Sequence, residues 1–438
     1  MVDVLHVPFE YYPDPVGGTE VYVAALCREL RDHGLEPAVA APATADAEYG
    51  WDGVPVHRYA IPQQLVGSAV PTRLAELKRS FGAMLDRVRP RLVHFHALSP
   101  GIDLRCAEAV RERGLPLILT YHTPTLSCPR GTLMAFGTEP CDGRHRLWRC
   151  TACVGQKLSG RPERGALLAA LPMTLSERLG QQMPGRLGTA LGLKASVRRQ
   201  QRQFQAVCTQ AARVVAVCEW VREVLLRQGL PAERIVLSRQ GLPQQALSPA
   251  TAPLVDRNLR CCFFGRLDPT KGVELLLDAL ARVPALSLTL DLYGVPSSPA
   301  YRERLAVKVA RDPRVRLLAP VPSAAVVRTM QDYDAVLVPS QWLETGPLVV
   351  LEAFAAGRPV IGSRLGGIAE LVRDGVDGWL LPARDPVAWA RLFETLVNDR
   401  GLLASRIAAI RPPRTMAGVA ADMAVLYRQV RSEAGERS

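Results

Sequence analysis

Short runs of almost unbroken apolar residues recur along this chain, and runs with apolar residues at helical spacing separate them. A strand wetted on one face alternates apolar and polar residues; one that is apolar throughout must be covered on both faces. Residues 2–8, 36–41, 92–98 and 115–122 are of the second kind. Between the first two lies a helical run, 17–33, with Val21, Ala24, Ala25, Leu26 and Leu30 on one stripe. Parallel strands need crossovers, and crossovers of this sort are right-handed. The expectation is an α/β protein with a doubly wound parallel sheet.

The rhythm breaks over residues 123–202 and returns at 213–219, with a helix at 220–228 and a strand at 235–238. Residues 241–260, rich in Pro, Gln and Ala, read as a linker. A second series of strands follows at 259–264, 286–293, 315–318, 335–339 and 359–362. A terminal helix at 416–431 carries Met423, Leu426, Tyr427 and Val430 on one face. A chain of 438 residues is too long for one core. Two domains, 1–240 with an insertion at 123–205 and 241–412, and a terminal helix at 413–438 are expected.

Charge and cysteine are both uneven. Between Arg144 and Arg239 stand 17 Lys/Arg against 5 Asp/Glu, so the whole net charge of +12 lies there. Such a stretch is either a solvated basic face or a dock for an anionic partner, nucleic acid or a phospholipid surface. Of ten cysteines, Cys27, Cys106, Cys208, Cys218, Cys261 and Cys262 sit among apolar residues and read as reduced core thiols. The other four, Cys128, Cys141, Cys150 and Cys153, form Cys-x12-Cys-x8-Cys-x2-Cys in a Gly/Pro-rich stretch. Four thiolates suit a structural zinc, or alternatively an iron–sulfur cluster; four free thiols are the plain alternative. His94 and His96 share one face of a strand but lack an evident third ligand, so they read as packed or cleft-lining rather than metal-binding.

The second half concentrates chemistry. Gly265-Arg266 ends a strand and Lys271-Gly272 opens the next helix. A helix start attracts phosphate, and two cations strengthen it, although an Arg and a Lys there are often merely solvated. Glu344 and Glu352 are separated by Thr345-Gly-Pro-Leu-Val-Val-Leu351. Pro347 suits a first helical position, which leaves Glu344 in the loop and Glu352 about a turn and a half inside the helix. Gly366-Gly367 follows a strand where backbone must approach something closely. Residues 374–379 read as a turn. Asp332-Tyr-Asp334 has the look of a metal-binding Asp-x-Asp but precedes a buried strand, and reads as helix-end and strand-start chemistry.

The order Gly-Arg…Lys-Gly, Glu-x7-Glu with Gly-Arg-Pro-Val-Ile behind it, then Gly-Gly…Glu, resembles the retaining glycosyltransferases of family 4 (group 1) from Val4 to about Tyr427. The resemblance implies a GT-B fold, two Rossmann-like domains facing across a cleft, with the acceptor on the first, the nucleotide-sugar on the second and the terminal helix crossing back. It implies a hexosyltransferase that needs no cofactor and moves a sugar to a glycan, lipid-linked or small-molecule acceptor, as in polysaccharide biosynthesis. Arg266 and Lys271 would hold the diphosphate. Glu352 would bind the ribose and Glu344 the donor sugar, with Thr345, Gly346, Leu348 and Gly265 lining the site. Gly17-Gly18 matches the family's glycine loop, and His122 its sugar-contacting histidine. Two departures bear on donor identity: Gly346-Pro347 stands where the family often has Phe-Gly, and Thr123 where Asp often follows the histidine.

A sugar phosphorylase, a nucleotide-sugar epimerase or a zinc-containing nucleic-acid-binding protein are the other readings. The last leaves the second half unexplained, so no nucleic-acid partner is expected. The opening residues lack a basic n-region and a cleavage site, so the expected location is cytoplasmic. The basic stretch adds an anionic membrane surface as a partner. Leu167, Leu168, Leu171 and Leu175 near Arg161, Arg164 and Arg178 suggest one interfacial helix.

Overall fold

The structure, a computed structural model, describes residues 2–14, 17–61, 70–243 and 258–436. Most of the expected linker lies outside the described residues. The chain divides into two compact units, Met1–Arg239 with Met416–Ser438, and Gln240–Thr415. The first unit thus takes the terminal helix.

In the first unit the strands are β1 (Val4–Val7), β2 (Pro37–Ala43), β3 (Ala47–Trp51), β4 (Val54–Ala60), β5 (Val93–Phe95) and β6 (Leu117–Tyr121). The insertion adds a small ribbon, β7 (Met134–Ala135) and β8 (Glu139–Pro140), before β9 (Arg213–Ala216) and β10 (Ile235–Leu237). The main sheet runs β10-β9-β6-β5-β1-β2-β4-β3 and is parallel except for β3. The β3–β4 hairpin turns on Asp52 (φ 51°) and Gly53 (φ 73°). That Asp-Gly pair is a hairpin signal, and the reading of the chain as strictly βαβ passed over it.

Alternation along the central strands decides what each face holds. Leu5, Val93, Phe95, Leu117 and Leu119 point into a core with Phe81 and Leu85. Val4, Val39 and Ile118 point to the opposite face, against helices Gly18–Asp32 and Met416–Gly435. His6, His94, His96, Thr120 and His122 are buried as well. Tyr22 and Tyr427, from those two helices, pack on these histidines.

The insertion, which the loss of rhythm made look irregular, is mostly helical: Leu147–Ser159, Pro162–Ala170, Met173–Gln182, Gly185–Leu191 and Leu193–Gln210. Its glycines mark close approaches. A Cβ on Gly165 would lie 2.3 Å from the Ala152 carbonyl oxygen, so only glycine lets these two helices touch. Pro162 opens its helix, as proline does at a first turn. The single interfacial helix expected over 167–175 is corrected to two helices, because the chain breaks at Leu171-Pro172. Leu167 and Leu175 are exposed, whereas Leu168 packs inward on the Val154, Leu193 and Val197 cluster.

The second unit holds β11 (Leu259–Phe264), β12 (Leu288–Tyr293), β13 (Val315–Leu318), β14 (Ala335–Val338), β15 (Val360–Ser363) and β16 (Gly378–Leu381). They run β13-β12-β11-β14-β15-β16, all parallel. The expected turn at 374–379 gives way to β16 from Gly378 onward. A Cβ there would lie 2.2 Å from the Val360 carbonyl oxygen, so the glycine belongs to the sheet contact. Asp334 is structural: it accepts from the Arg260 amide at 2.8 Å and pairs with Arg400 at 2.8 Å.

Candidate functional site

Strand order reverses between β11 and β14, with β12 and β13 to one side and β15 and β16 to the other. In a doubly wound sheet the loops leaving the strands diverge at that point and open a crevice at their carboxyl ends. The loop after β11 carries Gly265 to Gly272, and the loop after β14 carries Pro339 to Pro347.

These loops are tied together. The Gln341 amide donates to the Thr270 carbonyl at 2.7 Å. Asp268 caps the short turn Pro269–Lys271, accepting from the Thr270 amide at 2.9 Å. Gly272 has φ 75°, and a Cβ there would lie 1.9 Å from the Pro339 carbonyl oxygen. Only glycine allows this contact, and the contact sets where Lys271 points.

Lys271 Nζ meets Glu344 Oε1 at 2.6 Å. The same oxygen accepts from Ser340 Oγ at 2.7 Å and Trp342 Nε1 at 2.8 Å. Lys271 also lies 5.5 Å from the centre of the Trp342 ring. Two residues predicted to serve one ligand are thus ion-paired with each other. Ser340 and Trp342, which hold the carboxylate, were missed; their signal is only proximity to Glu344 in sequence.

What the Gly366-Gly367 backbone approaches is the Glu344 loop. The Gly367 amide donates to the Glu344 carbonyl at 2.6 Å, and a Cβ on Gly366 would lie 2.8 Å from that oxygen. Thr345 is buried, and Gly346 faces the Gln240 side chain. Pro347 caps helix Leu348–Ala355 rather than opening it, so Leu348 is its first residue and Glu352 lies half-buried within it. Arg266 is exposed beside Gly265 (φ 151°).

In the first unit, Gly17 and Gly18 start helix Gly18–Asp32, where Glu20 turns back to accept the Gly17 amide at 3.0 Å. His122 follows β6 and is buried. Its Nε2 is 2.9 Å from His96 Nδ1, and His96 Nε2 is 2.9 Å from His6 Nδ1. Burial pushes His6 and His122 down to about 3 and His94 and His96 well below their usual range. All four imidazoles are therefore neutral at neutral pH.

His6, His94 and His96 place ligand atoms within 4.8 Å of one another, the one such group among the described residues. The third imidazole beside His94 and His96 is thus His6, from a strand some ninety residues earlier. Both nitrogens of His94 are taken, by Tyr427 OH at 2.8 Å and Thr120 Oγ1 at 2.6 Å. The group is packed and hydrogen-bonded, as read for the pair.

No three of the four clustered cysteine sulfurs come that close. Burial, then the nearby Cys128 and Cys141 thiols, raises Cys150. Cys153 is turned elsewhere: its sulfur accepts the Phe136 amide at 3.1 Å. The tetrathiolate cage expected from the spacing is thus not assembled in this geometry. The six remaining cysteines are buried thiols.

Comparison with known proteins agrees with this geometry. Residues 17–241 match the model of the glycosyl transferase 4-like domain, and residues 258–399 that of glycosyl transferases group 1. D-inositol 3-phosphate glycosyltransferase of Corynebacterium efficiens is 38% identical over 146 residues, 31% of this chain and 34% of the relative. Its counterpart in Geodermatophilus obscurus is 30% identical over 220 residues, 46% of this chain and 49% of the relative. The chain thus spans about a third to a half of the length of these curated relatives. Among solved structures, sucrose-phosphate synthase from Thermosynechococcus elongatus superposes with a TM-score of 0.67 at 18% identity, covering 99% of this chain and 100% of that one. Anabaena HepE, solved in complex with UDP, gives 0.57 at 19% identity, covering 100% and 99%. These likenesses establish the GT-B fold. The chain belongs to the glycosyl transferase 4-like family, and its second unit carries the group 1 glycosyl transferase domain.

Proposed function

We propose that the protein is a retaining glycosyltransferase that moves a hexosyl group from a nucleoside-diphosphate sugar to an acceptor hydroxyl. The observation that carries this reading is the meeting of Lys271 and Glu344 at the strand-order reversal of the second unit. The bond from the anomeric carbon to the diphosphate oxygen breaks, and its electron pair leaves with the phosphate. Lys271 and Arg266 meet that growing charge, so no metal is required for the step. The acceptor oxygen attacks from the same face, and its proton passes to the departing phosphate oxygen. Lys271 exchanges part of its pairing with Glu344 for the phosphate, and the carboxylate then accepts from sugar hydroxyls, while Glu352 accepts from the ribose. HepE has been solved with UDP-glucose, which makes uridine diphosphate sugars the first donors to test.

The test is nucleoside diphosphate release from a panel of nucleotide sugars, with and without candidate acceptors such as inositol phosphates and lipid-linked glycans. A transferase releases the diphosphate in step with sugar transfer. Release-free interconversion of donor sugars would mean an epimerase, and RNA binding without donor binding the zinc-protein alternative.

The acceptor side is read as membrane-associated, on the inner face of the cell membrane. No helix among the described residues is long and apolar enough to cross a bilayer. The insertion instead exposes Trp148, Leu158, Leu167, Leu175 and Leu187 within the stretch that holds the net positive charge. Each basic side chain near an anionic surface contributes about 1 kcal/mol. Co-sedimentation with anionic vesicles that weakens with salt supports this; equal binding to neutral vesicles, or none at low salt, rejects it. The cysteine cluster is read as a structural zinc site that would draw on Cys128, Cys141, Cys150 and Cys153. Metal analysis of anaerobically purified protein decides among zinc, iron and neither.

A further inference from the structure

Lys271 and Glu344 share a third side chain, Trp342. The Gln341 amide is tied to the Thr270 carbonyl at 2.7 Å, and Gln341 Nε2 donates to the Pro339 carbonyl at 2.7 Å. Trp342 follows Gln341 and Lys271 follows Thr270, so the same bonds that join the two loops set these residues beside each other. Half-buried Trp342 touches both members of the ion pair. Its Nε1–H donates to Glu344 Oε1 at 2.8 Å, and its ring centre lies 5.5 Å from Lys271 Nζ. An indole N–H can only donate, and the indole face attracts cations. One side chain thus serves the anion with its edge and the cation with its face.

Glu344 Oε1 carries three donors: Lys271 Nζ at 2.6 Å, Ser340 Oγ at 2.7 Å and Trp342 Nε1 at 2.8 Å. A carboxylate oxygen offers about two lone-pair sites. Lys271 is therefore the surplus donor: when it turns away, Ser340 and Trp342 still fill both sites of this oxygen. It is also the one best able to turn. Ser340 is buried, whereas the Lys271 ammonium ends a flexible four-carbon stem and is 22% exposed. Its attraction to the ring requires only that the cation stay within about 6 Å of the ring centre, so a small turn toward another anion keeps that contact.

We propose that Trp342 is a positioning residue for the donor diphosphate: its N–H keeps Glu344 in place while its ring keeps Lys271 beside the crevice, so that Lys271 exchanges Glu344 for a phosphate oxygen without either side chain losing its position. Without the ring, a lysine stem released from the carboxylate regains its rotamers, and a diphosphate has to order it again. Without the N–H, Oε1 keeps only Ser340 of these three donors once Lys271 has turned, and the carboxylate is less firmly aimed at a sugar. The exchange for a diphosphate rests on the proposed transferase activity; the hold of Trp342 on Glu344 in the free protein does not, so the two fail separately.

The first test reads the indole N–H signals of full-length protein carrying 15N-labelled tryptophan, without substrate. The chain has six tryptophans, and the signal lost in Trp342→Phe assigns this one. A hydrogen bond to a carboxylate moves an indole proton downfield. The Trp342 signal should stay downfield in Lys271→Met and move upfield in Glu344→Gln, whose neutral amide is a weaker acceptor. A signal that moves as far in Lys271→Met as in Glu344→Gln, or in neither, overturns the proposal, because Trp342 then does not hold the carboxylate by itself. The second test is kinetic, with melting temperature as the check on folding. Trp342→Phe keeps a ring under the ammonium but has no N–H, so kcat should fall about tenfold with the donor KM within about twofold. Trp342→Leu loses both, and its donor KM and its dissociation constant for uridine diphosphate should exceed those of Trp342→Phe by about two- to fivefold. Equal affinity for uridine diphosphate in folded Trp342→Leu and Trp342→Phe would assign the ring to packing alone. Wild-type protein that binds no nucleotide of the donor panel overturns the exchange, while the first test still judges the hold on Glu344.

Discussion

Replacing Glu344 with leucine should cost far more stability than replacing Lys271 with methionine, although both changes break the same ion pair. The difference follows from what each leaves behind. Glu344 Oε1 accepts from Lys271, Ser340 and Trp342, and the Glu344 side chain is only 9% exposed. Glu344→Leu strands all three donors at once, one of them charged. Removing one partner of a buried pair costs about 3–5 kcal/mol, and each orphaned neutral donor about 1–3 kcal/mol. The penalties overlap, because the loop can shift to hydrate some of these groups, so about 4 kcal/mol is expected. For a domain of this size that lowers the melting temperature by roughly 8–16 °C. Lys271→Met removes one donor and leaves the carboxylate with Ser340 and Trp342, and the lysine is 22% exposed and partly hydrated already. Its cost should be about 1–2 kcal/mol, or roughly 2–8 °C. Both variants should lose most transferase activity, since one lacks the cation for the diphosphate and the other the acceptor for the sugar. Differential scanning calorimetry with parallel turnover assays makes the comparison. Equal melting shifts, or a larger one for Lys271→Met, would refute the idea that Glu344 organises this loop.

Further outcomes follow from the same structure. The unfolded chain takes up protons on His6 and His122 below pH 6.5, whereas the native state resists until about 3. Stability is therefore whole above pH 6.5 and lost as pH falls from 6.5 toward 3. About 2 kcal/mol per histidine should be gone at pH 5, visible as a lower urea midpoint there than at pH 7, and a midpoint unchanged between those values would contradict it. Gly272→Ala forces a Cβ onto the Pro339 carbonyl at a φ of 75°. It should cost about 3 kcal/mol or more and reduce donor affinity, because the contact that aims Lys271 is lost; a melting temperature within a degree of wild type counts against it. Gly165→Ala should separate helices Leu147–Ser159 and Pro162–Ala170, lowering the stability of the insertion in native-state hydrogen exchange while leaving the exchange of β11 to β16 unchanged.

Much of this protein was legible from local pattern. Apolar runs with no wet face announce buried parallel strands, and β1, β5 and β6 lie within those runs because a fully covered strand has little other composition open to it. Lys271, Glu344 and Gly366-Gly367 stood out because charge or missing side chains at the ends of such strands need a reason. The helices of the insertion were hidden for the opposite reason. Their glycines and prolines, which look like breakers, are helix starts and helix crossings, and a crossing shows only once the neighbouring helix is packed against it. The Asp52-Gly53 hairpin was readable and was passed over.

What the sequence by itself determined is the class of sheet, the presence of two series of strands and the chemical identity of the loops that follow them, since each of these depends on neighbours within a turn or a strand length. Which loops meet was decided by tertiary structure alone. The order β13-β12-β11-β14-β15-β16 sets residues 271 and 344 side by side across more than seventy intervening positions. The order β6-β5-β1 likewise lines up His122, His96 and His6 on one buried face. Strand order is settled by how helices cover both faces of the whole sheet, a global packing condition that no local run of residues encodes.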